Sequence, residues 1–230
     1  MRRLLLCLLT AFSFLSFSQE QDSIPQDLNY REDQFYISVT YNFLNNKPNG
    51  VSQQGFSSGF HGGFLRDIPI NKSRTLAIGV GLGVSINSFN QNLRVSYDTS
   101  NNVAFNVLND EADFTKNKYF TYLLEVPFEF RWRNSTPKTY KFWRVYSGFK
   151  IGYLFANQTK YEGLPNDVKI NVLDNFNKIQ YGFTLSAGYN TWNLHIYYAL
   201  NSIFNDESNL DTGERIEMSA IKIGLTFYIF

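Results

Sequence analysis

The stretch TLAIGVGLGVSIN, residues 75–87, puts a large apolar residue at every second position and a small or polar one between. Leu76, Ile78, Val80, Leu82, Val84 and Ile86 form one set, and Ala77, Gly79, Gly81, Gly83, Ser85 and Asn87 form the other. A period of two over a dozen residues marks an extended strand, whose side chains alternate between faces; no helix sorts residues this way. A soluble barrel would turn the apolar set inward and carry charges outside. The second set has no Lys, Arg, Asp or Glu, and glycines weaken a water-facing strand without making it soluble. The stretch therefore reads as a wall with branched aliphatics toward lipid and glycines toward a narrow interior, where they leave room for larger side chains of other strands.

Such a wall needs a membrane, and the start of the chain bears on that. MRRLLLCLLTAFSFLSFSQEQD, residues 1–22, runs from two arginines through an apolar segment to small and polar residues, the layout of a secretory signal peptide. Removal is expected after Ser18 or Gln19, which leaves 20–32 as a periplasmic segment and 33–230 as the barrel. The apolar run is shorter than the ~20 residues of a spanning helix, which argues against an uncleaved anchor. The single cysteine, Cys7, lies inside this run with only six residues before it, too few for a lipoprotein site. A mature chain without thiols has no disulfides and no cysteine-metal sites.

At 230 residues the chain has room for one domain. Without Arg2 and Arg3 the 21 basic residues fall to 19 against 20 acidic ones, a balance that speaks against nucleic acid as a partner. No later stretch approaches a spanning helix, so a membrane crossing would have to be a closed barrel, the other structure that satisfies its own backbone in lipid.

The same sorting recurs along the chain. Outward sets are Phe35, Ile37, Val39, Tyr41 and Phe43; Phe60, Gly62 and Phe64, with His61 inward; and Phe120, Tyr122, Leu124, Val126, Phe128, Phe130 and Trp132, with Glu125, Glu129, Arg131 and Arg133 inward. Next come Trp143, Val145, Phe149, Ile151, Tyr153 and Phe155, with Arg144, Tyr146 and Lys150 inward. Segments 179–189, 192–200 (His195 inward) and 221–229 (Lys222 inward) complete the series. With 75–89 this makes eight strands of about the length a tilted span needs, and predicts an all-β, eight-stranded antiparallel transmembrane barrel of the outer-membrane type.

Links after the second, fourth and sixth strands are short (DIPINKSR, NSTPKT, NT), and the others are longer and more polar. Barrels of this type have short periplasmic turns and long external loops, so both ends are expected in the periplasm of a gram-negative cell. The longest external loop is predicted at about 90–118. Trp132, Trp143 and Trp192 are all outward and all beside short turns, where an aromatic girdle meets the interface. Phe230 has the parity of inward residues; either a bulge resets the register, or Phe227 and Ile229 carry the lipid face and Phe230 is a terminal insertion tag.

Eight strands enclose a lumen that side chains fill, and buried charges there need partners. With the turn centred near Thr136 and Pro137, Glu125 is predicted opposite Lys150, and Glu129 opposite Tyr146 with Arg144 diagonal, so Glu125, Glu129, Arg131, Arg133, Arg144 and Lys150 form a lumen charge network. A salt-bridged wall and an ion or proton path are both readings of it. Acyl-transfer catalysis would require a nucleophile and a base within reach; His61 and His195 lie inward outside any catalytic motif. No metal-ligand spacing or phosphate loop is present, so the chain reads as a non-enzyme without cofactor.

The runs REDQFYISVTYNFL, KPNGVSQQGFSSGFHGGFLRDIPINKSRTLAIGVGLG, YLLEVPFEFRWRNSTPKTYKFWRVYSGFKIGYLF and IGLTFYIF resemble the PorT family of small outer-membrane barrels associated with the type IX secretion system. The resemblance spans nearly the whole mature chain and is most specific in RDIPINK and EFRWRNSTP with KFWR. It implies an accessory part in exporting folded proteins, not the conduit, with other secretion-system proteins as partners. On that reading Arg66, Asp67, Ile68, Ile70, Lys72 and Arg74, together with Arg131, Arg133 and Lys138 to Arg144, form a periplasmic partner turn; alternatively Pro69 and the isoleucines only cover the barrel floor. The other class of function is a structural or adhesive barrel of the OmpA/OmpX kind with ligand-binding external loops.

Overall fold

A computed structural model describes residues 33–109, 112–134, 141–164 and 166–229. The signal peptide at 1–19, the segment 20–32, Lys138 with the rest of 135–140, and Phe230 with its two possible registers lie outside the described residues.

Among the described residues eleven strands follow in chain order: β1 (Gln34–Asn45), β2 (Ser58–Pro69), β3 (Leu76–Asn90), β4 (Leu93–Tyr97), β5 (Val103–Val107), β6 (Phe114–Arg133), β7 (Trp143–Gly163), β8 (Val168–Ile170), β9 (Ile179–Tyr189), β10 (Trp192–Ala199) and β11 (Ser219–Ile229). Eight of them, β1-β2-β3-β6-β7-β9-β10-β11, pair as antiparallel neighbours, and β11 returns to β1, so the sheet closes into a barrel without an edge. A closed sheet pairs its own backbone, the condition for crossing lipid with strands.

The period-two pattern becomes two environments. In β1, Phe35, Ile37, Val39 and Phe43 are exposed while Tyr36, Ser38, Thr40 and Asn42 are buried. In β3 the aliphatics Leu82, Val84 and Ile86 are exposed and the small set faces in. Its glycines leave the room that the pattern suggested: a Cβ on Gly79 would sit 2.5 Å from Arg131 Nε, and one on Gly83 would collide with the Tyr36 hydroxyl.

Two sequence expectations about the short-turn end are corrected. β2 does not stop before the link DIPINKSR but runs on through Asp67 and Ile68 to Pro69, so the turn between β2 and β3 shrinks to 70–75. Pro69 lacks the N–H to continue the ladder, and Asn71 builds the turn: its Oδ1 accepts the Leu76 N–H at 3.0 Å and its amide donates to Ser73 Oγ and Thr75 Oγ1 at 2.8 Å. The β6–β7 register is also displaced by two residues: Glu125 faces Gly152, Lys150 faces Pro127, Glu129 faces Gly148, Arg131 faces Tyr146 and Arg133 faces Arg144. The hairpin is closed further along the chain than a centre at Pro137 allows, because Asn134 pairs with Trp143, whose N–H donates to Asn134 Oδ1 at 2.8 Å.

At the other end, the long link between β3 and β6 is not a simple polar loop. It contains the β4–β5 hairpin, in which Leu93 opposes Val107 and Val95 opposes Phe105. Asp98 shapes its turn by accepting the N–H groups of Asn102 and Ser100 at 2.8 Å, bonds that hold its carboxyl below the usual carboxylate range. Leu93, Val95 and Phe105 pack with Phe89, Tyr119, Phe176, Ile203, Phe204, Leu210, Ile216 and Met218 into an apolar core over this mouth of the barrel. Phe204 is its hub, with ring centroids 4.5 Å from Phe176, 5.5 Å from Tyr119 and 5.6 Å from Phe105. Val95→Ala removes two buried carbons and is expected to weaken this cap by about 2 kcal/mol. Amide exchange should then quicken in 93–107 while the β9 and β10 amides stay protected.

Candidate functional site

The lumen holds its charges in two tiers. Near the short-turn end, Asp67 on β2 reaches past β3 to β6: Arg133 donates to it through both terminal nitrogens at 2.8 Å, and Arg131 donates through Nη1 at 3.0 Å. Arg131 also donates through Nε to Glu129 at 3.0 Å. All three side chains of the Asp67, Arg131 and Arg133 cluster are fully buried. Arg144, equally buried, stacks against Phe142 at 4.5 Å and Tyr228 at 5.4 Å, a placement in which ring faces attract the guanidinium.

In the middle tier Glu125 takes Lys150 Nζ at 3.0 Å and His61 Nδ1 at 3.3 Å, and Thr40 meets the other nitrogen of His61 at 3.3 Å. Lys222 from β11 lies over the Tyr197 ring at 4.9 Å. His195 and Ser186 are hydrogen-bonded at 2.7 Å, both buried in the lumen. Above this tier lies the apolar cap. The interior is thus filled from the arginine cluster through the Glu125 group to the phenylalanine core. Carboxylates, guanidiniums and ammoniums that satisfy one another hold the wall shut; breaking any one pair strands a charge in low dielectric.

The six residues read as the lumen network, Glu125, Glu129, Arg131, Arg133, Arg144 and Lys150, are all buried. Three members were missing from it: Asp67, His61 and Lys222. Asp67 shares the parity of Leu65 and His61, the signal that would have placed it, but its partners sit two strands away and lie outside any hairpin alignment.

That assignment also divides the candidate partner turn. Asp67 is a lumen counter-ion, not a turn residue, because β2 extends past it. Arg66 and Ile68 stand on the outer wall: Ile68 is exposed in line with Ile78 and Phe130, and Arg66 pairs with Asp33 at 2.9 Å. Ile70, Lys72 and Arg74 remain on the turn; Ile70 is half exposed, and the Arg74 carbonyl accepts from Arg133 Nε at 3.0 Å. Arg131 and Arg133 point into the lumen and present nothing to a periplasmic partner. Trp132, Trp143 and Trp192 lie exposed at the short-turn end, Trp143 5.3 Å from Tyr189 and Trp192 5.0 Å from Phe227. Among the described residues no group of His, Asp and Glu side chains is placed to hold a metal ion.

A family model described as an outer membrane protein beta-barrel domain matches residues 17–205. Comparison with curated proteins returns no match. Among solved structures, Ail, the attachment invasion locus protein of Yersinia pestis, is 11% identical with a TM-score of 0.30, the alignment covering 86% of this chain and 99% of Ail. A mutant porin of Rh. blastica is 9% identical with a TM-score of 0.15, over 87% of this chain and 100% of the porin.

Proposed function

Because the chain belongs to the family of outer membrane protein β-barrel domains, we propose that it works as a non-enzymatic accessory component of type IX protein secretion, in export or in building the exporter, without being the conduit. The filled lumen is the observation that carries this reading: ion pairs around Asp67 and Glu125 and the phenylalanine cap occupy the space a solute would need. Its work is then done at its surfaces. The secretion role itself is supported by the resemblance to the PorT family. Short turns flanked by Trp132, Trp143 and Trp192 support a periplasmic position for that end; since β1 starts and β11 ends there, the same reading has both termini periplasmic.

The partner surface on this reading is the outer rim of the short-turn end: Arg66 and Ile68 on the wall, Ile70, Lys72 and Arg74 on the turn. A clean deletion should remove many cargo proteins from the medium and cell surface together and hold their precursors in the periplasm, as quantitative proteomics would read. Arg66→Glu with Arg74→Glu should impair the same secretion at unchanged barrel yield. An unchanged secretome in the deletion strain sinks the secretion role, and unchanged secretion in the double variant moves the partner surface elsewhere.

One observation favours a second reading, an adhesive or ligand-binding barrel: the long-loop end is an ordered cap that presents Phe56, Tyr97 and Leu164 to solvent. Replacement of the β4–β5 hairpin would abolish the phenotype in that case, and the turn variants would leave it intact.

A further inference from the structure

Beyond the wall, the β6–β7 hairpin continues upward and β8 joins its side. Counting about eleven residues of tilted strand up from Trp132 reaches Tyr122, so 114–120 stand above the hydrocarbon. A bulge between Tyr122 and Leu123 inserts one residue into β7, which switches its outward parity from Phe155 to Ala156, Gln158 and Lys160. Three lysines then fall abreast on one outward face: Lys118 is directly opposite Lys160, and Lys160 directly opposite Lys169.

Like charges in opposed cross-strand positions repel at a separation of about 5 Å, so the sheet gains nothing by itself from this row. The next row outward supplies partial compensation, with Glu162 pairing with both Lys116 and Lys160. Asp167 is used differently, its Oδ1 accepting the Gly163 N–H at 3.0 Å. With Lys116 counted, four ammoniums meet these two carboxylates, and the acids stand on the side away from the bilayer. Below the lysines comes the aromatic belt: Lys118 Nζ lies 4.6 Å from the centre of the Phe120 ring, and Tyr122 and Phe155 follow with centroids 6.4 Å apart. Two residues of a strand tilted about 40° put the row roughly 5 Å above Phe120, at the depth of lipid headgroups.

We propose that Lys118, Lys160 and Lys169 form a binding site for the phosphorylated headgroup of an outer-leaflet glycolipid, whose acyl chains run down the wall past Phe120, Tyr122 and Phe155. The site rests on the proposed outward orientation of the long-loop end. Three ammoniums in a row match several phosphate oxygens, and the aromatic belt directly beneath matches a ligand that continues into the membrane; a free anion uses only the first of these.

The test uses the full-length barrel extracted from outer membranes, with native mass spectrometry reading bound lipid. Bisphosphorylated lipid A should bind the natural chain, and the triple variant Lys118→Gln, Lys160→Gln, Lys169→Gln should bind on the order of 100-fold more weakly, from about a decade or less per lysine near a charged surface. Dephosphorylated lipid A should bind as weakly to the natural chain. Removing opposed like charges relieves repulsion, so the triple variant should fold, which heat-dependent gel migration checks; Lys47→Gln, exposed on the β1–β2 link away from the row, should bind like the natural chain. Equal binding of both lipids, full binding by the triple variant, or inorganic phosphate that competes as well as the lipid overturns the proposal. Orientation is read separately by reagent labelling of Thr212→Cys on intact cells; a shielded cysteine overturns the outer-leaflet source whatever the lipid binding shows.

Discussion

Asp67→Ala is expected to destabilise the barrel by about 3–5 kcal/mol, the range for removing one partner of a buried ion pair. Asp67 is the shared acceptor of Arg131 and Arg133, with three donor contacts at 2.8–3.0 Å and no solvent exposure of any of the three side chains. Alanine leaves two guanidiniums without that acceptor; Glu129 still holds Arg131 through Nε. Asp67→Asn keeps the shape and one acceptor oxygen and should cost less. Urea unfolding of the refolded barrel in lipid vesicles measures both, and a cycle with Arg133→Met should show a coupling of about 1–3 kcal/mol between the two positions. A loss under about 1 kcal/mol for Asp67→Ala would mean that the arginines are held by the rings and carbonyls around them, and that the carboxylate is incidental. Any secretion defect of this variant should track barrel yield, in contrast to a defect from Arg66→Glu with Arg74→Glu.

The wall was legible in the sequence because it depends on one local rule. Strand after strand, the period of two assigns Phe35, Leu82, Leu124, Ile151 or Phe183 to lipid, and all five are exposed. What the sequence hid depends on distances that the rule does not encode. Asp67 looks like part of a polar turn until Pro69 and Asn71 fix where the turn begins, and its partners are on β6, beyond β3. The two-residue error in the β6–β7 register has the same origin: alternation is unchanged by a shift of two, so parity cannot choose among such alignments, and only the closing pair Asn134 and Trp143 does. The cap was hidden because Leu93, Val95 and Phe105 are few and spread among polar residues, and their burial against Phe176 and Phe204 joins links more than 65 residues apart in sequence. The lysine row needed the bulge at Phe155, which no pattern announces.

Gly79→Leu should have the larger effect, about 5 kcal/mol or failure to reach the folded barrel, because it combines overpacking with the loss of a buried ion pair. A side chain at Gly79 enters the volume that the Arg131 guanidinium occupies: the ideal Cβ lies 2.5 Å from Nε and 2.9 Å from Cζ. Arg131 cannot swing aside cheaply, since Nε is bonded to Glu129, Nη1 to Asp67, and the guanidinium stacks on Tyr146 at 4.8 Å. Leucine would therefore expel Arg131, leaving Glu129 without its donor and Asp67 held by Arg133 alone. The obstruction is a side chain, so Arg131→Ala added to Gly79→Leu should make the pair less destabilising than the sum of the singles in the same urea unfolding assay. Gly81 supplies the contrast, because a Cβ there would strike the Phe64 carbonyl, which is backbone of β2. Gly81→Ala should resist rescue by any side-chain deletion, and rescue of Gly81 together with failure at Gly79 would reverse the roles assigned to these glycines. The small residues of 75–87 thus face inward for two reasons that the alternation alone does not separate: one makes room for a cation and the other lets two strands approach.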